Sequence, residues 1–273
     1  MARVLSGVFL AAAFFTLVWF SSANVLLVVA LAVCALAFHE YAQLTRAIGA
    51  DVPTLPTLSA TLAAVFIVPF PYVAGEALVG VGLVIVTASV MARLRAPAAT
   101  PAGPLVFRPA VHAAAASAVS IVYLGLPLGA LVATHIFGGR GAVLLLVATI
   151  ALSDTAQYYS GRLLGRHKLA PVLSPKKTVE GAIGGLIAAP VFLYFAGPYL
   201  VPIATPLMIA GLGIALAIAG IAGDLFESML KRAADMKDSS ALIPGHGGVL
   251  DRIDGLLFAS PIFYAYIRWV YST

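Results

Sequence analysis

Residues 228–254 contain the densest cluster of charged side chains in a chain of 273 residues, of which only 10% are charged and 62% are hydrophobic. Lysine and arginine side chains bind phosphate oxygens, whereas carboxylates are the ligands that hard divalent cations prefer. A segment that holds both kinds of side chain predicts phosphate and metal chemistry. The cluster comprises Lys231, Arg232, Lys237, Asp238, His246, Asp251, Arg252 and Asp254.

Acidic side chains stand at two predicted helix ends beside this cluster. Asp224 lies where one apolar span is predicted to end, and Asp251 and Asp254 lie one turn apart where the next begins. If the first helix continues, Asp224, Ser228 and Lys231 share one of its faces. A solvated loop with ordinary helix caps would explain the lysines and arginines. It would not explain acids at membrane depth, where charge is costly and usually functional.

Two consecutive glycines, Gly247 and Gly248, separate the basic part of the cluster from its last two acids. Glycine permits positive φ and a close approach of the backbone to a ligand. Phosphate-binding loops need both properties, so these glycines favour a phosphate site in the same segment.

A second polar segment spans residues 154–181. Asp154 lies within a predicted span, where a functional carboxylate and a structural partner of a buried arginine are both open interpretations. Ser174, Lys176 and Lys177 precede a predicted helix, whose N-terminus could present backbone donors to an anion beside the two lysines. By itself this second pattern is not specific.

The mean hydropathy of +1.03 requires the lipid bilayer as solvent. The apolar runs are long and do not alternate with polar residues, which indicates helices rather than a β-barrel. The fold is therefore predicted to be all-α and polytopic, and the single cysteine, Cys34, excludes a disulfide within the chain. About nine spans are expected, near 4–20, 25–44, 57–73, 77–92, 111–134, 141–160, 179–198, 204–223 and 255–271.

Basic residues orient these spans. With the N-terminus in the cytoplasm, 14 of the 16 lysines and arginines fall on the cytoplasmic side, and only Arg140 and Arg268 fall outside. The C-terminus is then predicted to lie outside. The formal charge of +5 is explained by this placement, so no nucleic-acid partner is expected.

The chain is predicted to divide into two regions. Residues 1–135 would form a scaffold of helices with dimer contacts. Residues 136–273 would form the catalytic region, with cytoplasmic loops at 161–178 and 224–254.

The C-terminal half of the chain resembles the phosphatidate cytidylyltransferase family. That family's signature reads Ser-x-x-Lys-Arg-x₄-Lys-Asp, then Pro or Gly, then His-Gly-Gly-x-x-Asp-Arg-x-Asp. Upstream, Asp154 and the Ser-Pro-Lys-Lys-Thr-Val-Glu-Gly run that begins at Ser174 are also similar to the family. The signature is carried here by Ser228, Lys231, Arg232, Lys237, Asp238, Pro244, His246, Gly247, Gly248, Asp251, Arg252 and Asp254.

The resemblance implies a multi-pass enzyme of the bacterial inner membrane that faces the cytoplasm. Such an enzyme transfers CMP from CTP to phosphatidic acid, forming CDP-diacylglycerol and pyrophosphate. The family implies Mg²⁺, a monovalent cation such as K⁺, contact with membrane lipids, and a homodimer.

Roles for individual residues follow as hypotheses from this resemblance. Asp224 and Asp251 would hold Mg²⁺, with Asp254 or Asp154 in support, and His246 would assist pyrophosphate departure or hold its loop in place. The expected catalytic residues are Asp224, Asp251, Lys237, His246 and Arg252. The expected substrate-binding residues are Ser228, Lys231, Arg232, Asp238, Gly247, Gly248, Ser174, Lys176 and Lys177.

Three alternatives compete with this interpretation. A CDP-alcohol phosphatidyltransferase needs Asp-Gly-x-x-Ala-Arg, but Asp254-Gly255 is followed by Leu-Leu-Phe-Ala. A cation-coupled transporter predicts acids near the middle of the bilayer and paired broken helices. Asp224, Asp251 and Asp254 instead lie at predicted span ends. A cytidylyltransferase that acts on another lipid phosphate remains open.

Overall fold

The structure is a computed structural model that describes residues 12–70, 104–201, 205–240, 242 and 247–272. The predicted span at 77–92 lies outside the described residues, as do His246 and the first half of the span predicted at 4–20. Residues 12–20 are helical.

Helices dominate the described residues, and four helical stretches are long and apolar enough to cross a membrane. This confirms the prediction of a helical membrane protein, while the number of nine spans and the orientation of the termini stay predictions. The helices are α1 (Ala23–Ala47), α2 (Thr54–Ile67), α3 (Pro104–Ser120), α4 (Leu126–Leu164), α5 (Val179–Leu200), α6 (Pro206–Ala233) and α7 (Leu250–Ser272).

A π-helical turn, Ile121–Gly125, joins α3 to α4. Pro127 follows this turn, and its ring would clash with the carbonyl of Tyr123 in a regular α-helix. The wider π turn before Pro127 accommodates the proline. The spans predicted at 111–134 and 141–160 are separated at Gly139, whose φ of 74° and ψ of 179° kink α4.

The described residues are overwhelmingly helical, as predicted, but the segment predicted as a loop at 161–178 contains a short antiparallel hairpin. Strand β1 (Lys168–Ala170) pairs with β2 (Ser174–Thr178) immediately after α4 ends. Pro175 disfavours a helical conformation at the preceding residue, which is consistent with extended backbone there. The boundary predicted at 223 is also corrected, because α6 continues to Ala233. Residues 224–233 are therefore helical rather than a loop.

Two apolar cores hold the helices together. One gathers buried side chains around Phe38, Tyr41 and Leu124, and the other gathers them around Leu146 and Phe263. Helices α4, α5, α6 and α7 pack against one another. This four-helix group carries most of the polar side chains that the sequence singled out.

A glycine contact joins α6 to α7. A Cβ added at Gly223 would collide with the backbone carbonyl oxygen of Asp254, which cannot move without shifting its helix. Close helix contacts in membrane proteins are commonly made through small residues in this way. The glycine therefore sets the separation of two helices that carry acidic side chains.

We expect Gly223→Ala to destabilise the protein by about 1–3 kcal/mol, because overpacking forces backbone shifts. Gly211→Ala, on the same helix, is the matched control, since a Cβ there meets nothing within 4 Å. Thermal unfolding in detergent measures both. Equal unfolding temperatures for the two variants would contradict the assigned contact.

Candidate active site

A polar cavity of about 410 Å³ lies between α4, α5, α6, α7 and strand β2. It brings together residues from both polar segments, 154–181 and 224–254. Its charged lining consists of Asp154, Arg162, Lys176, Lys177, Asp224, Asp251 and Asp254. The predicted proximity of these acids and lysines is therefore observed.

Asp224 forms an ion pair with Lys177 across the cavity. Its other carboxylate oxygen accepts a hydrogen bond of 3.3 Å from the hydroxyl of Ser228, one turn further along α6. The helix continues through Asp224 and Ser228, so these two side chains share one face of α6. Both members of the ion pair are partly exposed to the cavity, so a ligand could compete for either of them.

Asp154 and Asp254 make fewer contacts. Asp154 accepts a hydrogen bond of 3.0 Å from the amide of Gln157, and Asp254 accepts one of 2.8 Å from the backbone N–H of Gly255. Among the described residues, neither carboxylate has an ion-pair partner. Both retain acceptor positions in the cavity.

Lys231 lies between two buried carboxylates. Its ammonium is 2.5 Å from Glu227 Oε2 and 2.5 Å from Asp251 Oδ1, and the three side chains are 12%, 1% and 7% exposed. Lys231 was predicted to bind phosphate, but it does not line the cavity and its contacts are to these acids. Sequence reasoning missed Glu227, although its spacing of four residues before Lys231 is the signal of a helical ion pair.

Asp251 has both carboxylate oxygens engaged. Oδ1 contacts Lys231, and Oδ2 accepts bonds of 2.8–2.9 Å from the N–H and hydroxyl of Ser239 and the N–H of Gly248. Burial alone would raise the pKa of Asp251, but hydrogen bonding with Glu227 and Lys231 and with the N–H groups of Gly248 and Ser239 holds it well below its usual range. Because Lys231 contacts Oδ1, a metal ion at this oxygen of Asp251 would share it with Lys231 or displace that side chain.

The glycines after His246 have the predicted properties. Gly247 has φ of 81°. A Cβ on Gly248 would collide with Ser239 Oγ and lie 2.5 and 2.6 Å from the carboxylate oxygens of Glu40. The close approach is therefore to Glu40 and Ser239 within the protein, and phosphate binding by these glycines stays a prediction.

The hairpin is tied to α5 by Glu180. Its carboxylate accepts hydrogen bonds from the backbone N–H groups of Arg166 and His167, and it lies 2.7 Å from His167 Nδ1. Thr178 caps α5 by accepting a 3.1 Å bond from the N–H of Gly181. This arrangement places both lysines of β2 at the cavity, whereas Ser174 does not line it.

The chain's family follows from a comparison with known proteins. The model of the cytidylyltransferase family matches residues 1–270. The chain belongs to this family. The match covers nearly its whole length.

Individual relatives of this cytidylyltransferase-family chain match over a shorter region. Phosphatidate cytidylyltransferase from Haemophilus influenzae is 48% identical over 130 residues, which are 45% of each chain. The same-named protein from Staphylococcus haemolyticus is 41% identical over 147 residues, 53% of this chain and 55% of that one. An uncharacterized protein, YnbB, from Escherichia coli K12 is 44% identical over 136 residues, 50% of this chain and 45% of its own. The chain spans about half the length of the curated relatives it matches.

Other predicted residues of this cytidylyltransferase-family site lie away from the cavity. Arg232 donates to the carbonyl oxygens of Leu173 and Met236, at 3.5 and 3.3 Å. Lys237, Asp238 and Arg252 are exposed, and none of them lines the cavity. Their predicted roles at the phosphates remain untested.

A metal site is not preformed in the described part of the chain, where no three His, Cys, Asp or Glu side chains are arranged to hold an ion. The donor chemistry nevertheless suits Mg²⁺, because the carboxylates of Asp154, Asp224 and Asp254 line one cavity. Of the four predicted metal ligands, Asp154 and Asp254 retain acceptor positions toward the cavity. Asp224 is paired with Lys177, which a ligand could displace.

We expect Lys231→Met to lower the free energy of unfolding by about 3–5 kcal/mol, because it leaves two buried carboxylates without their cation. Adding Glu227→Gln should recover part of that loss by removing one of the charges. Arg232→Met, at the exposed neighbouring position, is the control. Thermal unfolding measures all three, and a Lys231→Met protein as stable as the control would disprove the pairing.

Proposed function

We propose that this protein transfers CMP from CTP to phosphatidic acid, producing CDP-diacylglycerol and pyrophosphate. The observation that carries the proposal is the cavity in which Asp224 and Lys177 meet Asp154 and Asp254. Carboxylates on one side of the cavity can hold a metal ion, and lysines on the other side can bind the phosphates of a metal-bound triphosphate. The family match and the phosphatidate cytidylyltransferases among the relatives support the choice of substrates.

The reaction requires alignment and charge neutralisation more than a protein nucleophile. An anionic oxygen of the lipid phosphate attacks the α-phosphorus of CTP, forming one P–O bond as the bond to the leaving pyrophosphate breaks. Lys176 and Lys177 would bind the phosphates at the hairpin side of the cavity. Ser228 would keep Asp224 oriented rather than attack phosphorus.

Mg²⁺ would be held by Asp224 together with Asp154 or Asp254. When bound, the ion neutralises phosphate charge and orients the triphosphate. Asp251 would keep the neighbouring turn and Lys231 in place. A monovalent cation such as K⁺ and a homodimer are further expectations from the family resemblance.

The proposed active site faces the cytoplasm of a bacterial-type inner membrane. The distribution of lysine and arginine along the sequence supports this orientation. Arg140 and Arg268, the two residues assigned to the opposite side, lie 5.3 Å from the ring centre of Trp19 and 5.5 Å from that of Phe137. Tryptophan is enriched at both membrane interfaces, so the contact of Arg140 with Trp19 would mark an interface without deciding which side it faces.

An apolar groove of about 460 Å³ supports a lipid substrate. Its wall includes Phe226, two residues after Asp224, and Phe258, one turn after Asp254. The same two helices thus present acids to the cavity and apolar side chains to the groove. An acyl chain in this groove would bring a lipid phosphate near the acids.

The function is tested by incubating purified protein in detergent with labelled CTP, phosphatidic acid and Mg²⁺. We expect labelled CDP-diacylglycerol from the wild type. Asp224→Asn should lower kcat on the order of 100-fold, because one charged group at the phosphates is lost. It should also abolish the rise in unfolding temperature that Mg²⁺ with CTP causes in the wild type.

Asp235→Asn is the matched control for this variant, because Asp235 is exposed with φ of 56°, a conformation that asparagine also adopts. It should behave like the wild type. Folded wild-type protein that forms no nucleotide-linked product with several lipid phosphates would contradict the proposal. Ion-flux measurements would then test the transporter alternative.

Filling the groove should impair use of the lipid selectively. We expect Val122→Trp to raise the KM for phosphatidic acid roughly tenfold by excluding about two methylenes, at about 0.8 kcal/mol each. The KM for CTP should not change. Val111→Trp is the control, because this residue of α3 is equally exposed, at 63% against 62%, but does not line the groove. Equal effects of both variants would disprove acyl binding there.

A further inference from the structure

The carboxylate of Glu40 on α1 accepts hydrogen bonds from residues near the start of α7, far along the chain. Its Oε1 accepts hydrogen bonds of 2.6 Å from the Ser240 hydroxyl and 2.9 Å from the Val249 N–H. Its Oε2 accepts bonds of 2.9 Å from the Ser239 hydroxyl and 2.8 Å from the Leu250 N–H. The residue is 2% exposed, and its donors lie about 200 positions further along the chain.

These donors explain why a carboxylate can be buried here. A buried charge is costly unless hydrogen bonds replace water, and each oxygen of Glu40 has one backbone N–H and one serine hydroxyl within hydrogen-bonding distance. The Leu250 N–H belongs to the first residue of α7, and the first N–H groups of a helix have no partner within it. A negative charge at a helix N-terminus is also favourable. Glu40 therefore caps α7 from another membrane helix.

The cap is connected to the active-site acids. The Ser239 hydroxyl lies within hydrogen-bonding distance of both Glu40 Oε2 and Asp251 Oδ2, at 2.9 and 2.8 Å, and donates its one proton to either. Asp251 in turn contacts Lys231. A continuous series of contacts thus runs from α1 through Ser239 to the cavity wall.

We infer that Glu40 is a positioning residue for the active site. It fixes residues 247–250 and Ser239 against α1, and through them it sets the position of Asp251 at the cavity. Its catalytic consequence rests on the proposed function, whereas its effect on the local structure does not. The carboxylate touches no part of the cavity itself.

The test is Glu40→Gln, which keeps the shape of the side chain but turns one oxygen into an N–H donor. One of the two backbone N–H groups at Val249 and Leu250 then faces a donor. We expect amide hydrogen exchange in residues 247–250 to accelerate at least tenfold, which corresponds to losing one charge-assisted hydrogen bond. We expect kcat to fall by about 10- to 100-fold through misplacement of Asp251, with a smaller change in the KM for CTP.

Thr45→Val is the matched control. Thr45 lies on the same helix and is equally buried at 2%, but within the described part of the chain its hydroxyl bonds only to the Ala42 carbonyl of its own helix. It should change neither exchange in residues 247–250 nor kcat. Glu40→Asp keeps the charge but shortens the reach, so its kcat should lie between those of Glu40→Gln and the wild type.

The inference is overturned if Glu40→Gln only lowers the unfolding temperature while the folded fraction keeps wild-type kcat and exchange. If that variant does not fold, Ser240→Ala removes one donor to Glu40 and should accelerate the same exchange less strongly; wild-type exchange in Ser240→Ala would then overturn it. Absence of CDP-diacylglycerol from the wild type would refute the proposed reaction, and the exchange measurement would still decide the role of Glu40.

Discussion

The contact of Lys231 with Glu227 and Asp251 is the interaction on which the rest of the site depends. Two carboxylates on α6 and α7 are buried within 2.5 Å of one ammonium. Without that cation they would repel each other, and burying them would be very costly. The close packing of Gly223 against the backbone at Asp254 requires the same approach of these helices. Electrostatics and shape therefore hold α6 and α7 in one arrangement.

This arrangement divides the acids into two groups with different chemistry. Glu40, Glu227 and Asp251 are engaged by donors of the protein and maintain its internal geometry. Asp154 and Asp254 direct acceptors toward the cavity, and Asp224 is held there by Lys177. A metal ion or a phosphate can contact the cavity-facing acids without breaking the hydrogen bonds of the acids that are engaged within the protein. Residues that hold the ligand-binding side chains in position help to keep such ligands in place.

The N-terminal part of the chain is more than a scaffold for this site. Glu40 reaches from α1 to the start of α7, and the π turn before Pro127 belongs to a groove that also contains Phe226 and Phe258. These contacts join the two regions predicted on either side of residue 135, and the division itself stays a prediction. Leu250 at the start of α7 is fully buried, so its N–H cannot reach water and requires a partner from the protein.

The sequence by itself determined the class of the protein and the identity of the residues that could do chemistry. Mean hydropathy and long apolar runs predict membrane helices, and helical spacing places Asp224 beside Ser228, because these signals depend on near neighbours. Only the tertiary structure decided that Lys231 turns inward, that Asp251 is engaged by donors of the protein, that 168–178 forms a hairpin, and that Glu40 joins the site. Those outcomes depend on contacts between residues up to 210 positions apart, which no local periodicity encodes.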